Sequence, residues 1–544
     1  MRALMSKIFS GRYRVLCLAL ILVLAVGIAY GCKKKEEAKP APAGPSASGG
    51  QAPAEPAKPA VELGDPVPTL TVVGPSEAWS TSQYETNRFL AQLWEKELGI
   101  KLEIATYPDY ASLIAALAPE KRDKVDIVTF GYVERYSRVD PDELLSRPLM
   151  CKGSANFGEY CNPKYDDLVK KSQVSFNVSD RQKLVHQAQE ILLKDLPVVV
   201  QYHPTTVSMY NKKYFSNVIT VPAGGMTNVW NWTRAKPQTD DKVMRYATQR
   251  VLRSIHPMNH LDYGFDVNVS LLVYDTLTRM APDGSAVPWL ASEWQSLDEK
   301  TLRVKLRQDA KFHDGKPVTA EDIKFAYEYL KKWEIGMYKD PLKPIESVVV
   351  VDTHTVDLKL TTPSATLLTL SLGQIPIVPK HIWDGAVERQ KLSHPKDWAN
   401  APLIGSGQYK VETVQAGVGV KLARNTSHWE PPVPEVFEVR KFDDSRTAFN
   451  ALLNQSVYFL DITAASSPAE IDEAKKKDYL DVVAHQSITS RFMQFNMRDQ
   501  SPTADYAFRE ALAYAVDYGT IIDVILRGYG EAGTSFIPPG NPFW

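Results

Sequence analysis

From Leu70 onward the chain alternates short β-branched runs with amphipathic helical runs, and this alternation restricts it to a layered α/β architecture. Thr69-Leu-Thr-Val-Val reads as a strand. Residues 81–98 then carry Phe89, Leu90, Leu93, Trp94 and Leu98 at helical spacing, with Gly99 placed to end the helix. Ile100, Leu102 and Ile104 alternate with polar residues, and Val125-Asp-Ile-Val-Thr-Phe reads as a largely buried strand. A second helix is predicted over 179–195, capped by Ser179 and faced by Leu184, Val185, Ala188, Ile191 and Leu192. Pro197 ends it, and Val198-Val-Val-Gln-Tyr continues as a strand.

The first 68 residues have a different character. Arg2, Lys7, Arg12 and Arg14 precede an apolar run from Val15 to Tyr30, too short for a comfortable membrane span and suited to an exported leader. Ala29-Tyr30-Gly31-Cys32 resembles a bacterial lipobox, so residues 1–31 are expected to be a lipoprotein signal peptide and Cys32 the lipidated residue. Residues 32–68 are rich in Pro, Ala, Gly and Ser. They cannot bury enough apolar surface to offset their ordering entropy, and read as a disordered linker. Of the four cysteines, Cys17 sits in the leader, which leaves Cys151 and Cys161 free to pair in an oxidising compartment. The formal net charge is −1, so nucleic acid is not an implied partner.

Beyond residue 241 the content becomes specific. Pro288-Trp-Leu-Ala-Ser-Glu-Trp294 leads to Leu302-Arg-Val-Lys-Leu-Arg307 and then to Lys311-Phe-His-Asp-Gly-Lys-Pro-Val-Thr-Ala-Glu-Asp-Ile323. Val378-Pro-Lys-His381, Gly405-Ser-Gly-Gln-Tyr409, Arg424-Asn425, Phe495-Asn496, Phe508 to Asp517 and Ile537-Pro-Pro-Gly540 follow in order. The series resembles the extracellular solute-binding proteins of family 5, the oligopeptide-, dipeptide- and nickel-binding lipoproteins of ABC importers. From its residues alone, His313-Asp314-Gly315 is a β-turn and Thr319 with Asp322 a helix cap; both are structural rather than catalytic.

Residues 69–236 resemble the same family's carboxy-terminal portion, through Asn162-Pro-Lys-Tyr-Asp-Asp-Leu168, Arg181, Asp195-Leu-Pro197 and Val229-Trp-Asn-Trp232. Residues 241–544 resemble its amino-terminal and middle portions. The order is therefore circularly permuted; a fusion of two incomplete copies, or a truncated product, is the competing account. The resemblance implies a two-lobed periplasmic-binding-protein fold of type II, large cluster C, with a hinge and an interlobe cleft. Hinge strands are expected near 198–202 and 491–496. One lobe would combine 69–197 with 491–544, the other 198–236 with 241–490.

The implied function is capture of a peptide or peptide-like solute outside the cytoplasm by a lipid-anchored monomer, for delivery to ABC permease subunits. A sensory or interaction lipoprotein using the same fold is the alternative. No cofactor, metal or catalytic residue is expected: the chain has no P-loop, HExxH, Gly-x-Ser-x-Gly or paired CxxC. His256 and His260 are four apart, but Pro257 between them argues for a loop. In peptide-binding members a Gly-Trp run leads to an aspartate that pairs with the peptide's ammonium. Here Gly131-Tyr132-Val133-Glu134-Arg135-Tyr136 matches it, so Tyr132, Val133, Arg135 and Tyr136 are candidate ligand contacts. Arg135 replaces the aspartate, which favours an acidic ligand group over an ammonium. Ser254, Met258 and Tyr338 are further candidates, in loops where this fold meets its ligand.

Overall fold

The computed structural model describes residues 66–544 apart from 133–137, 176, 223, 251, 253, 260–264, 400 and 463–467; the leader and Cys32 lie outside the described residues. Strand β1 (Leu70–Pro75), helix α1 (Thr81–Leu98) and strands β2 (Leu102–Tyr107) and β3 (Ile127–Gly131) follow the order that the periodicity predicts. Both β2 and β3 pair with β1 in parallel, one on each of its edges, because crossovers containing helix return the chain to the same end of the sheet before each strand. Gly99 ends α1 in the left-handed conformation (φ 69°), its N–H reaching the Glu95 carbonyl at 3.2 Å. Helices α2 (Pro163–Val174) and α3 (Val178–Asp195) come next. The cap of α3 is Asn177 rather than Ser179. Asn177 has extended backbone and its side chain accepts from the Asp180 N–H at 3.1 Å, so Ser179 falls inside the first turn.

Strand β4 (Val198–Asn211) then runs through 14 residues. After it, β5 (Val243–Thr248) joins the main sheet, whereas β6 (Ala291–Asp298), β7 (Thr301–Leu306), β8 (Ile345–Asp352) and β9 (Thr355–Leu360) form a separate antiparallel sheet in the order β6-β7-β9-β8. Helix α4 (Ala320–Lys332) lies between β7 and β8 in sequence. The main sheet resumes with β10 (Tyr409–Gln415), β11 (Gly419–Arg424), β12 (Val436–Lys441), β13 (Phe459–Ile462), β14 (Leu480–Gln486), β15 (Arg491–Phe495) and β16 (Gly530–Ala532). Its twelve strands run β10-β11-β12-β5-β13-β4-β15-β3-β1-β2, with β14 and β16 also paired to β4.

The partners of β4 divide this sheet into two lobes. Val198 to Tyr202 pair with β15, and Tyr202 to Pro204 with β16, in a first lobe. Thr205 to Asn211 pair with β14, and Val207 to Tyr210 with β13, in a second. The switch thus falls at about Tyr202–Thr205 and the return at Ser487–Ser490, slightly displaced from the ranges expected from sequence. Residues 198–202 and 491–496 are wholly engaged in the first lobe's sheet, and the short turn segments beside them make the crossings. The cores divide the same way. Val73, Phe130, Val185, Phe492 and Ile537 share one cluster, whereas Trp232, Tyr246, Phe437, Leu358 and Trp383 share another.

The recurring motifs of the second lobe hold one another. Gly315 (φ 90°) closes the His-Asp-Gly turn, its N–H donating to the Phe312 carbonyl at 2.8 Å. His313 donates its backbone N–H to the Gly405 carbonyl at 2.8 Å, its Nδ1 accepts from the Gly405 N–H at 3.3 Å, and its Nε2 meets the Gly407 carbonyl at 3.0 Å. Burial pushes its imidazole down to about 4, so it sits neutral. Asp322 accepts from the Thr319 N–H at 2.9 Å and from the Lys380 N–H at 3.0 Å, capping α4 and anchoring the Val-Pro-Lys-His segment together.

Candidate functional site

At the first crossing sits His203, 3% exposed. Its Nδ1 lies 3.1 Å from the Ser490 hydroxyl, which donates to the Phe536 carbonyl at 3.0 Å. Its Nε2 is buried with no hydrogen-bond partner. Burial pushes the imidazole down to about 4, with a smaller opposing effect from the Thr489 backbone. The second crossing is a run of small hydroxyl residues around Ile488, with Ser487 and Thr489 bonded to each other at 2.6 Å. The second crossing is thus buried throughout, whereas Pro204 and Thr205 of the first are half-buried; neither crossing carries a charged side chain.

Beside them ends β3. Gly131 faces Arg491 of β15, whose Nη1 donates to the Tyr132 carbonyl at 2.8 Å. A Cβ on residue 131 would stand 2.3 Å from Arg491 Cδ and 2.8 Å from the Ser490 carbonyl oxygen, so only glycine fits. The Tyr132 ring packs on Phe130, Phe492 and Phe536, with the Arg138 guanidinium 4.5 Å from its centroid. Its hydroxyl is buried without a partner among the described residues, and burial raises its pKa well above the usual range. Val133, Arg135 and Tyr136 lie outside the described residues.

The two lobes meet along a seam. Val139 packs with Met280 and Ile488, and Gly284 approaches Val139 and Pro542 closely. The Ala365 N–H donates to the Gln173 carbonyl at 2.8 Å. The first-lobe side of the seam is braced by a buried ion pair: Arg181 binds Asp140 through two bonds of 2.6 and 2.7 Å and donates through Nε to the Ser172 carbonyl at 3.0 Å. Arg138 adds a 3.0 Å bond to Glu143. Cys151 and Cys161 form a disulfide, with Cα atoms 4.4 Å apart.

The other sequence candidates are not gathered at the seam. Met258 and Tyr338 are buried in the second lobe's large core, at 3% and 1% exposure, whereas Tyr132 belongs to the first lobe's core. In this conformation all three are enclosed by protein. Ser254 accepts from the His256 N–H at 3.0 Å, shaping the turn that buries Met258. His256 accepts from the Met258 N–H and packs against Trp383; burial pushes it down to about 4. His260 lies outside the described residues, and among those described no group of three or more potential metal ligands occurs. The structure adds His203, Ser490, Arg491, Arg138 and Asp140 to the surroundings of the seam. Of these only Arg491 lay in a range singled out from sequence, the hinge expected at 491–496; Arg181, the partner of Asp140, stood in a motif without a stated role.

Two sheets' worth of core joined by two short crossings define a two-lobed binding fold of the periplasmic type. Residues 285–544 match the model of the bacterial extracellular solute-binding proteins, family 5 Middle. The chain is 29% identical over 318 residues to the probable peptide-binding protein YejA of Agrobacterium fabrum, covering 54% of this chain and 50% of that one. It is 26% identical over 280 residues to the oligopeptide-binding protein AppA of Bacillus subtilis, covering 51% and 50%. The chain thus spans about half the length of the curated relatives it matches. Among solved structures, AppA from Bacillus subtilis in complex with a nonapeptide is 21% identical with a TM-score of 0.39, covering 43% of this chain and 46% of that one. NikZ from Campylobacter jejuni in complex with Ni(L-His) is 23% identical with a TM-score of 0.38, covering 44% and 46%.

Proposed function

We propose that this protein captures a peptide or peptide-like solute between its lobes, outside the cytoplasm, and presents it to the permease of an ABC importer. The observation that carries this reading is the pair of crossings. A lobe spanning residues 205–490 is attached to its neighbour only through Tyr202–Thr205 and Ser487–Ser490, among the described residues, so small backbone changes there can open and close the seam. The family match and the peptide-binding names of the relatives support the solute class.

A lipid on Cys32 would hold a monomeric body at the membrane, with residues 32–68 as the linker between them; among the described residues no helix is long and apolar enough to cross one. Strands from before residue 236 and after residue 241 share one sheet, which supports a single permuted body over a fusion of two. Arg135 remains our candidate for ligand choice, favouring a solute with an acidic group or without a free α-amine. Native mass spectrometry of the protein purified from its own envelope tests the capture reading directly. A co-purifying peptide or related solute is expected, and a body that stays empty and binds no member of a peptide library by calorimetry would overturn it. Replacing Arg135 by Ala should weaken an acidic ligand by roughly 2–4 kcal/mol. Palmitate labelling should disappear in Cys32→Ser.

A further inference from the structure

The second lobe holds a cavity of about 30 Å³, lined by Leu271, Thr276, Arg279, Met280, Thr369 and Gln374 among others. Met280 also packs with Val139 and Ile488, so the cavity shares a wall with the interlobe seam. Its volume is enough for about two water-sized groups, which suits the end of a larger solute rather than a whole one.

Three of the polar side chains around it, Thr276, Thr369 and Arg279, are already engaged. Thr276 donates to the Thr278 carbonyl and Thr369 to the Thr366 carbonyl. Arg279 donates to Gln408 at 2.8 Å while its guanidinium lies over Trp289. Gln374 is 5% exposed, yet among the described residues neither its Nε2 nor its Oε1 has a partner. A buried amide left unbonded at both ends is costly, and native proteins rarely keep one without a use.

The geometry points to this cavity as a subsite for a primary carboxamide, the side chain of Asn or Gln or an amidated terminus. This inference rests on the capture reading above and specifies which solutes are held best. Gln374 presents a donor and an acceptor on one planar group, and a carboxamide answers both with an acceptor and a donor of its own. A carboxylate would satisfy the N–H and leave Oε1 facing an anion. An ammonium would meet Oε1 but leave the Nε2 donor unmet. An apolar group would leave both bonds unmade.

The test uses the purified full-length protein with side-chain ¹⁵N-labelled glutamine, the Gln374 signal being identified by its loss in Gln374→Leu. Acetamide is the probe. The Gln374 resonance should shift saturably with acetamide and stay unmoved by equal concentrations of acetate. No shift, or an equal shift with acetate, would overturn the proposal, as would ordered waters bonded to both amide atoms that acetamide fails to displace. Gln374→Leu should also melt at a higher temperature than the parent, because it removes an unpaired buried amide; a lower melting temperature would mean that the amide serves packing alone. Acetamide binding without capture of any peptide would refute the transport reading and leave the subsite standing. Peptide capture indifferent to Asn, Gln and Leu side chains would do the reverse.

Discussion

Replacing Arg181 by Met should be among the most damaging single changes in the first lobe. Arg181 and Asp140 are 4% and 6% exposed, and the guanidinium binds both carboxylate oxygens at 2.6 and 2.7 Å. The same side chain satisfies the Ser172 carbonyl and lies 5.1 Å from the Phe543 ring. Methionine restores much of the volume and none of the charge. Asp140 would keep the Asp142 N–H at 2.9 Å but lose its counter-ion in a nearly dry site. Stranding one member of a buried pair costs about 3–5 kcal/mol. The double variant Asp140→Leu, Arg181→Met removes the stranded charge as well, and should cost far less than the two single changes added together. Urea unfolding followed by tryptophan fluorescence on the four proteins of the cycle gives all the terms. A cost below about 1 kcal/mol for Arg181→Met, or single costs that simply add, would show that the pair is solvated and does not brace the seam.

Other consequences can be checked in the same assay. The folded-state pKa of His203 is pushed down to about 4 from an ordinary value near 6.5, so its contribution to stability is fully present above pH 6.5 and lost as pH falls through 4. Over that window wild type should lose up to roughly 3 kcal/mol that His203→Gln does not lose, read as the difference between their stability–pH curves. Gly131→Ala forces a Cβ onto the Ser490 carbonyl and the Arg491 side chain, and should destabilise by about 1–3 kcal/mol in denaturant titration. Opening the Cys151–Cys161 bond, which closes a separation of 10 residues, should cost roughly 3 kcal/mol; in the oxidised protein the two thiols should resist alkylation until reductant is added.

Much of the first lobe was legible because its signals are local. Leu90 and Trp94 mark the inward face of α1, and Gly99 ends it where the spacing runs out. The motifs of the second lobe were legible as structure because turns and caps are written within a few residues, as in His313–Gly315 and Thr319–Asp322. The ligand candidates fared differently. Tyr132 was chosen for its aromatic ring beside a strand end. Yet two-residue alternation already put it on the face of Phe130, and the rings lie 5.5 Å apart in the core. Met258 and Tyr338 belong to a core cluster drawn from residues 210 to 483, whose assembly no window of neighbouring residues contains. The pairing of His203 with Ser490 spans 287 residues, and the unmade bonds of Gln374 exist only once the cavity around it is closed.

The double crossing also sets the order in which the molecule can be completed. Strand β3 emerges early, but its antiparallel neighbour β15 is the one that carries Arg491, 359 residues downstream of the Tyr132 carbonyl it holds. Until that segment arrives, β3 has an open edge and the aromatic cluster around Phe130 lacks Phe492 and Phe536. The second lobe, by contrast, is one uninterrupted stretch whose strands find each other without waiting. A chain threaded through a membrane from its amino end would thus finish its later-born lobe first, and carry the earlier-born one across as a sticky, half-paired sheet. Such a chain has reason to depend on holding chaperones during export, and its misfolding hazard is concentrated in residues 70–200.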